Sequence, residues 1–344
     1  MRVLARALLV VTAIFLFILS LQMLKRGAGS IMPLLDAVRA EGVLNAFGLG
    51  WLLAYIVLSG SPVAATALAL FGARQISAVE ALGMIAGSRF GAAFVVLLAG
   101  ILYSLRRRRG MGAVATGILC LLVTWSVYAP ATVIGYLLLA SGALDGLRLP
   151  AVTAVTGLVE VVYDPIVHWA EAAAGPTLLF VAGMGALVAS FSLFDRALPS
   201  INPEHSRFRQ IAFVVYRPNV MFLLGIAVTC MTLSVSVSLG LLVPLSAKGY
   251  VRRENIVPYI MGANISTFLD TLVVAVLVGD PRALSVVMAE MLSVILVSLI
   301  ILLGFYAAYR DGIEWCLSWA TMDRRAFLVF SGLMMLVPLL MMVW

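Results

Sequence analysis

Three ionisable side chains, Arg89, Asp270 and Glu290, fall inside otherwise apolar runs. Charge is expensive in hydrocarbon, so each is a candidate functional group. A guanidinium at Arg89 can grip a tetrahedral or carboxylate oxyanion through two parallel hydrogen bonds, or serve as half of a structural ion pair. Asp270 and Glu290 can partner it, accept a proton or ligate sodium. Two polar interruptions accompany these charges. One is Ser59-Gly60-Ser61, followed by Pro62 and Thr66; the other is Ser234-Val235-Ser236, followed by Ser238. A break inside a bilayer frees backbone N–H and C=O groups that protein or a wet cavity must satisfy. Such breaks are therefore either used for binding or are small-residue sites of close helix approach. Asp164, His168 and Glu171 share one helical face and read either as a metal-binding pattern or, more simply, as the solvated face of an external amphipathic helix. His205 lies in a basic segment and reads as surface.

The elements that position these residues are apolar. Of 344 residues 63% are hydrophobic and 11% charged, which excludes a soluble globular domain. The net charge of +7 does not point to nucleic acid, because the basic residues flank apolar runs. Cys120, Cys230 and Cys316 are far apart and read as small packing residues. A crossing needs about 20 apolar residues. Full spans are expected at 3–24, 83–104, 112–140, 176–195, 256–279, 284–309 and 326–343. The first reads as a transmembrane helix and not a removed leader. Segments 43–72 and 218–247 are too long for one crossing and broken near their middles. Segments 31–41, 151–172, 202–216 and 311–323 read as interfacial.

Charge sets the expected orientation. With the N-terminus inside and the two broken segments returning to the side they entered, sixteen of the 23 basic residues lie inside, among them Arg106 to Arg109. Six lie outside: Lys25, Arg26, Arg39, Arg74, Arg148 and Arg282.

The chain also matches itself. Shifted by 175 residues, 43–97 aligns with 218–272 without a gap, with ten of 55 positions identical. Both copies have an apolar half-helix, a Ser-x-Ser break, a second apolar run and a polar elbow. A span then begins at Gly87-Ser88-Arg89 or Gly262-Ala263-Asn264. The expected topology opens the first hairpin outside and the second inside. Inverted repeats with broken helices are the sequence pointer to a secondary transporter with a mid-membrane site. Half-helix N-termini there suit an anion, and unwound carbonyls and hydroxyls suit sodium.

With these residues in place, the chain resembles the type II sodium/phosphate cotransporters and their bacterial relatives. That family carries Q-S-S-S in each hairpin and G-A-N-I-G-T at the following helix start. Here Gly240-Leu-Leu-Val-Pro-Leu245 and Pro258-Tyr-Ile-Met-Gly-Ala-Asn-Ile-Ser-Thr267 are similar to that pattern, and Leu58-Ser-Gly-Ser-Pro62 is the weaker first copy. The resemblance covers roughly 10–104 and 176–300. It departs where the family glutamines are Leu58 and Leu233, the middle serines are Gly60 and Val235, and the first asparagine is Arg89.

The expectation is an all-α polytopic membrane protein built from two inverted repeats, each with a re-entrant broken-helix hairpin. The divisions are 1–110, 111–174, 175–310 and 311–344. The resemblance implies a plasma-membrane symporter binding phosphate or a similar anion at Ser59, Gly60, Ser61, Thr66, Arg89, Ser234, Ser236, Ser238 and Asn264. Sodium or a proton would use Ser266, Thr267, Asp270 and Glu290. No other cofactor is expected, and an enzyme is disfavoured because both histidines lie outside the spans. Other expected contacts are membrane lipid and a second copy or partner subunit. The rival readings are a transport-inactive partner or regulatory subunit on the same fold and a lipid-modifying enzyme.

Overall fold

The computed structural model describes residues 2–33, 42–107, 112–146, 151–197, 217–232, 234–247, 251 and 253–342. Within them the chain is helical, with no strand. The helices are α1 (Arg2–Gly27), α2 (Val43–Val57), α3 (Ser61–Gly72), α4 (Ala78–Arg107), α5 (Gly112–Ala140) and α6 (Ala151–Ala197). They continue as α7 (Pro218–Thr232), α8 (Val235–Ala247), α9 (Arg253–Ser266), α10 (Phe268–Val278), α11 (Pro281–Gly304), α12 (Tyr306–Met322) and α13 (Arg324–Met341). Six helical stretches among the described residues are long and apolar enough to cross a bilayer. The chain is thus an all-helical, membrane-embedded protein. Segment 202–216, most of 31–41, and the side chains of Ser236 and of Arg106 to Arg109 lie outside the described residues.

The two broken segments are pairs of short helices. At 15 and 12 residues, α2 and α3 are about 22 and 18 Å long, short of the roughly 30 Å of hydrocarbon. Leu58 ends α2 in the left-handed region, at φ 54°, and Pro62 opens α3 in its first turn, where a missing N–H costs nothing. In the second pair Ser234 caps α8 by accepting from the Val237 N–H at 3.3 Å. A bulky L-residue in the left-handed region costs about 1–2 kcal/mol. Leu58→Gly is expected to hold or raise thermal stability by up to about 1 kcal/mol, read by a melt in detergent.

Glycines set how these pairs pack. Gly83, Gly87 and Gly91 of α4 meet Val43, Phe47 and Trp51 of α2, in the same order along both helices, so α2 and α4 run parallel. Gly50 of α2 in turn faces Met84. Because α3 lies between them in sequence, it runs back the other way, and its start at Gly60 abuts Ser88 and Ala92 midway along α4. The same contacts recur 175 residues on: Gly225 against Tyr259 matches Gly50 against Met84, and Gly262 against Phe222 matches Gly87 against Phe47. Close helix approach is thus made at the glycines and not at the serines.

One end of the bundle gathers the C-terminus of α1, the C-terminus of α3 and the junction of α10 and α11. Lys25 donates to the Val278 carbonyl at 3.4 Å, and Gly72 touches Val278. Ser285 donates to the Leu144 carbonyl at 2.9 Å, which adds the end of α5. Lys25, Arg26, Arg74 and Arg282 thus belong to one end of the molecule. α4 leaves this end and α9–α10 arrives at it, so the two run antiparallel and their short helix pairs open toward opposite ends.

Several elements differ from expectation. Span 256–279 does not: it is one crossing, Glu254–Val278, in which Thr267, at φ −64° and ψ −16°, joins α9 to α10 with helical backbone angles. Span 284–309 stops at Gly304, and Phe305 turns the chain into α12, which covers the stretch expected at 311–323. α12 and α13 meet at 110°, with Asp323 capping α13 through the Ala326 N–H at 2.7 Å. Residues 151–172 are helical, but they form one arm of α6, whose arms are separated at Gly175, φ 79°. Both arms pack on α1, through Phe15 against Tyr163 at 5.2 Å and Phe17 against Phe191 at 5.5 Å.

Candidate functional site

The two breaks meet. Ser59, Gly60 and Ser61 from the first and Ser234 and Val235 from the second line one cavity, with Arg89, Asn264 and Thr267. Its volume is about 20 Å³, room for a water or a bare ion. The lining pairs up at the 175-residue offset: Ser59 with Ser234, Gly60 with Val235, Arg89 with Asn264, Ala92 with Thr267. The N-termini of α3 and α8 both end at this cavity, so two helix dipoles add positive potential beside the guanidinium.

Arg89 is 4% exposed. Its Nη1 donates to Thr267 Oγ1 at 3.1 Å and its Nη2 to Thr271 Oγ1. Nη2 also lies 3.9 Å from Asp270 Oδ1, to which Thr271 donates at 2.8 Å. The guanidinium carbon sits 5.3 Å from the centroid of the Phe268 ring, a cation–π contact. Arg89 Nε and Asp270 Oδ2 are buried without a hydrogen-bond partner. Arg89 is thus half of an ion pair with Asp270, bridged by Thr271, and keeps one donor in reserve.

Glu290 is elsewhere. It is fully buried on α11, where Thr132 of α5 donates to Oε1 at 3.0 Å and Oε2 has no partner. It is not Arg89's salt-bridge partner. Gly135 makes room for it, since a Cβ there would stand 2.8 Å from Oε2. Replacing it by leucine removes a half-satisfied polar group, while Thr132 keeps its bond to the Tyr128 carbonyl at 2.8 Å. Glu290→Leu is therefore expected to stabilise the protein by about 1–3 kcal/mol in a thermal melt. A lower melting point would make Glu290 a structural residue.

Besides Glu290, four described expected residues do not line the cavity: Asp270, which pairs with Arg89, and three hydroxyl residues. Thr66 donates to the Pro62 carbonyl at 2.8 Å within α3. Ser238 is held behind the break between Thr229, at 2.7 Å, and Tyr259, at 2.9 Å. Ser266 bonds the Ile226 and Gly262 carbonyls. Each serves helix packing because its hydroxyl turns back onto a neighbouring backbone or side chain. Asn264 does face the cavity, where its amide donates to Thr124 Oγ1 at 3.3 Å and its carbonyl accepts from the Tyr128 hydroxyl at 3.0 Å.

Sequence reasoning missed Thr124 and Tyr128, which come from α5, outside the repeat. Their signal was two polar side chains one turn apart in an apolar span. It also missed Thr271, which holds Arg89 to Asp270. On the Asp164, His168 and Glu171 face, Asp164 and His168 are exposed, as expected of a solvated face, and α1 reaches it. Arg26 bonds Glu171 at 2.8 Å and His168 at 3.2 Å, and among the described residues no three acidic, histidine or cysteine side chains cluster to hold a metal.

Fold and site together define an all-helical membrane protein with a buried, positively biased polar cavity between two helix breaks. No known protein family, no characterised protein and no solved structure matches the chain.

Proposed function

We propose that this protein is a secondary active transporter that binds phosphate or a similar small oxyanion between two re-entrant hairpin tips and moves it by alternating access. The observation that carries this reading is the meeting of two helix N-termini and Arg89 at one buried cavity. The hairpins belong to an inverted repeat. Support comes from the recurring glycine contacts and from helix pairs that open toward opposite ends. The N-terminus lies on the cytoplasmic side of the plasma membrane, so the end carrying Lys25, Arg26, Arg74 and Arg282 faces out. The cavity is narrow and partly open, and it must widen to admit its anion.

The test is uptake of radiolabelled phosphate into vesicles containing the purified protein, with and without imposed cation gradients. Accumulation above protein-free vesicles supports the reading; background uptake of phosphate, sulfate and small carboxylates alike rejects it. One observation favours a second reading, a transport-inactive partner subunit on the same framework. Arg89 already fills the site with charge, and the remaining space is about 20 Å³. Co-purification of a stoichiometric membrane partner together with background uptake would favour that reading.

A further inference from the structure

We infer that Arg89 is a tethered cation, standing where an alkali-metal ion would otherwise bind, and that transport by this protein is independent of sodium. The inference rests on the transport reading for its functional half, but its structural half stands alone.

The turn of the span at Thr267 carries three side-chain oxygens that face Arg89: Thr267 Oγ1, Thr271 Oγ1 and Asp270 Oδ1. Two hydroxyls and a carboxylate gathered on one turn of a buried span are the kind of hard-oxygen set that can hold a small cation. Here the positive charge facing those oxygens belongs to the guanidinium.

At the 175-residue offset the counterparts of Thr267, Asp270 and Thr271 are Ala92, Val95 and Val96, which offer no side-chain oxygen. The counterpart of Arg89 is Asn264, which is neutral. The oxygen set therefore occurs in one half only, and the fixed cation in the other half only, reaching across to it. Both are buried: Arg89 is 4% exposed, and Thr267 and Thr271 are 7% and 1% exposed. A guanidinium held on one side by this set still has Nε without a partner. A bound metal ion likewise divides its coordination between protein and a co-transported anion. Unlike an ion, Arg89 cannot leave, so each cycle returns it with the protein and no sodium gradient is spent.

The experiment compares wild type with Arg89→Asn, which places the residue of position 264 at its counterpart. Two readouts are taken in sodium, potassium and choline chloride at equal ionic strength: phosphate exchange in vesicles and thermal melting in detergent. Wild type is expected to exchange phosphate at rates within about twofold across the three salts and to melt at one temperature. Arg89→Asn is expected to exchange about tenfold faster in sodium than in choline and to melt about 2 °C or more higher in sodium alone, because the opened oxygens bind the ion. Arg89→Gln carries the same comparison if Arg89→Asn does not purify.

A sodium-specific rise in wild-type exchange or melting overturns the inference, as does a folded variant that ignores sodium in both readouts. If wild type exchanges no phosphate in any salt while the variant still gains a sodium-specific melting shift, the transport reading fails and the tethered cation stands.

Discussion

Arg89→Ala is expected to abolish phosphate uptake in sodium-free medium and to destabilise the protein. Two separate physical effects combine. The first is loss of the only cationic side chain that lines the cavity among the described residues. Truncating one partner of a buried charged hydrogen-bond pair costs about 2–5 kcal/mol, so anion affinity should fall by roughly thirty-fold or more. The second is that Asp270, 11% exposed at its side chain, loses its counter-charge. An uncompensated charge of this kind costs about 3–5 kcal/mol, and the upper part of that range is not expected here because the pair is 3.9 Å apart and bridged by Thr271. The two effects separate in a double-mutant cycle. Arg89→Ala with Asp270→Ala should regain most of the lost melting temperature, yet uptake should remain at background. Additive melting shifts would mean that the two charges do not interact.

The second large effect concerns Gly87 and Gly262. A Cβ at either would collide with a backbone carbonyl, that of Phe47 or Phe222, and a carbonyl inside a helix cannot swing aside. Even alanine must push α2 from α4 or α7 from α9, at about 1–3 kcal/mol, and leucine by more. Gly87→Leu and Gly262→Leu are expected to abolish monodisperse protein in detergent gel filtration. Gly332 of α13 is the control, since nothing lies within 4 Å of an added Cβ. Gly332→Ala should be neutral or stabilise by up to about 1 kcal/mol. Equal tolerance at all three sites would remove the close helix approach from the account.

Much of this architecture was legible in the sequence because hydrocarbon imposes a length and a polarity on every crossing. The two breaks stood out for that reason, and Arg89 with Asp270 for the same one. The pairing of Arg89 with Thr267 and Thr271 was not legible: Gly-Ala-Asn-Ile-Ser-Thr-Phe-Leu-Asp reads as helix by composition, and only the tertiary packing brings Arg89 against it. Likewise Ser59 and Ser238 look equivalent as hydroxyls in apolar segments. Which one faces a cavity depends on what lies opposite, Tyr259 in the case of Ser238. Thr124 and Tyr128 were not legible because α5 has no counterpart within the repeat, and only packing against Asn264 brings them to the cavity.

The glycine seams constrain how the cavity can open. Where one backbone rests on another there is no side chain to re-pack, so α2 with α4, and α7 with α9, travel as solid bodies. A gate in which α2 or α7 peels away alone must break its seam, whereas α8 carries no such weld, Gly240 having nothing within 4 Å of an added Cβ. Any widening at Arg89 that spares the seams falls on the softer side-chain contacts around the two welded pairs.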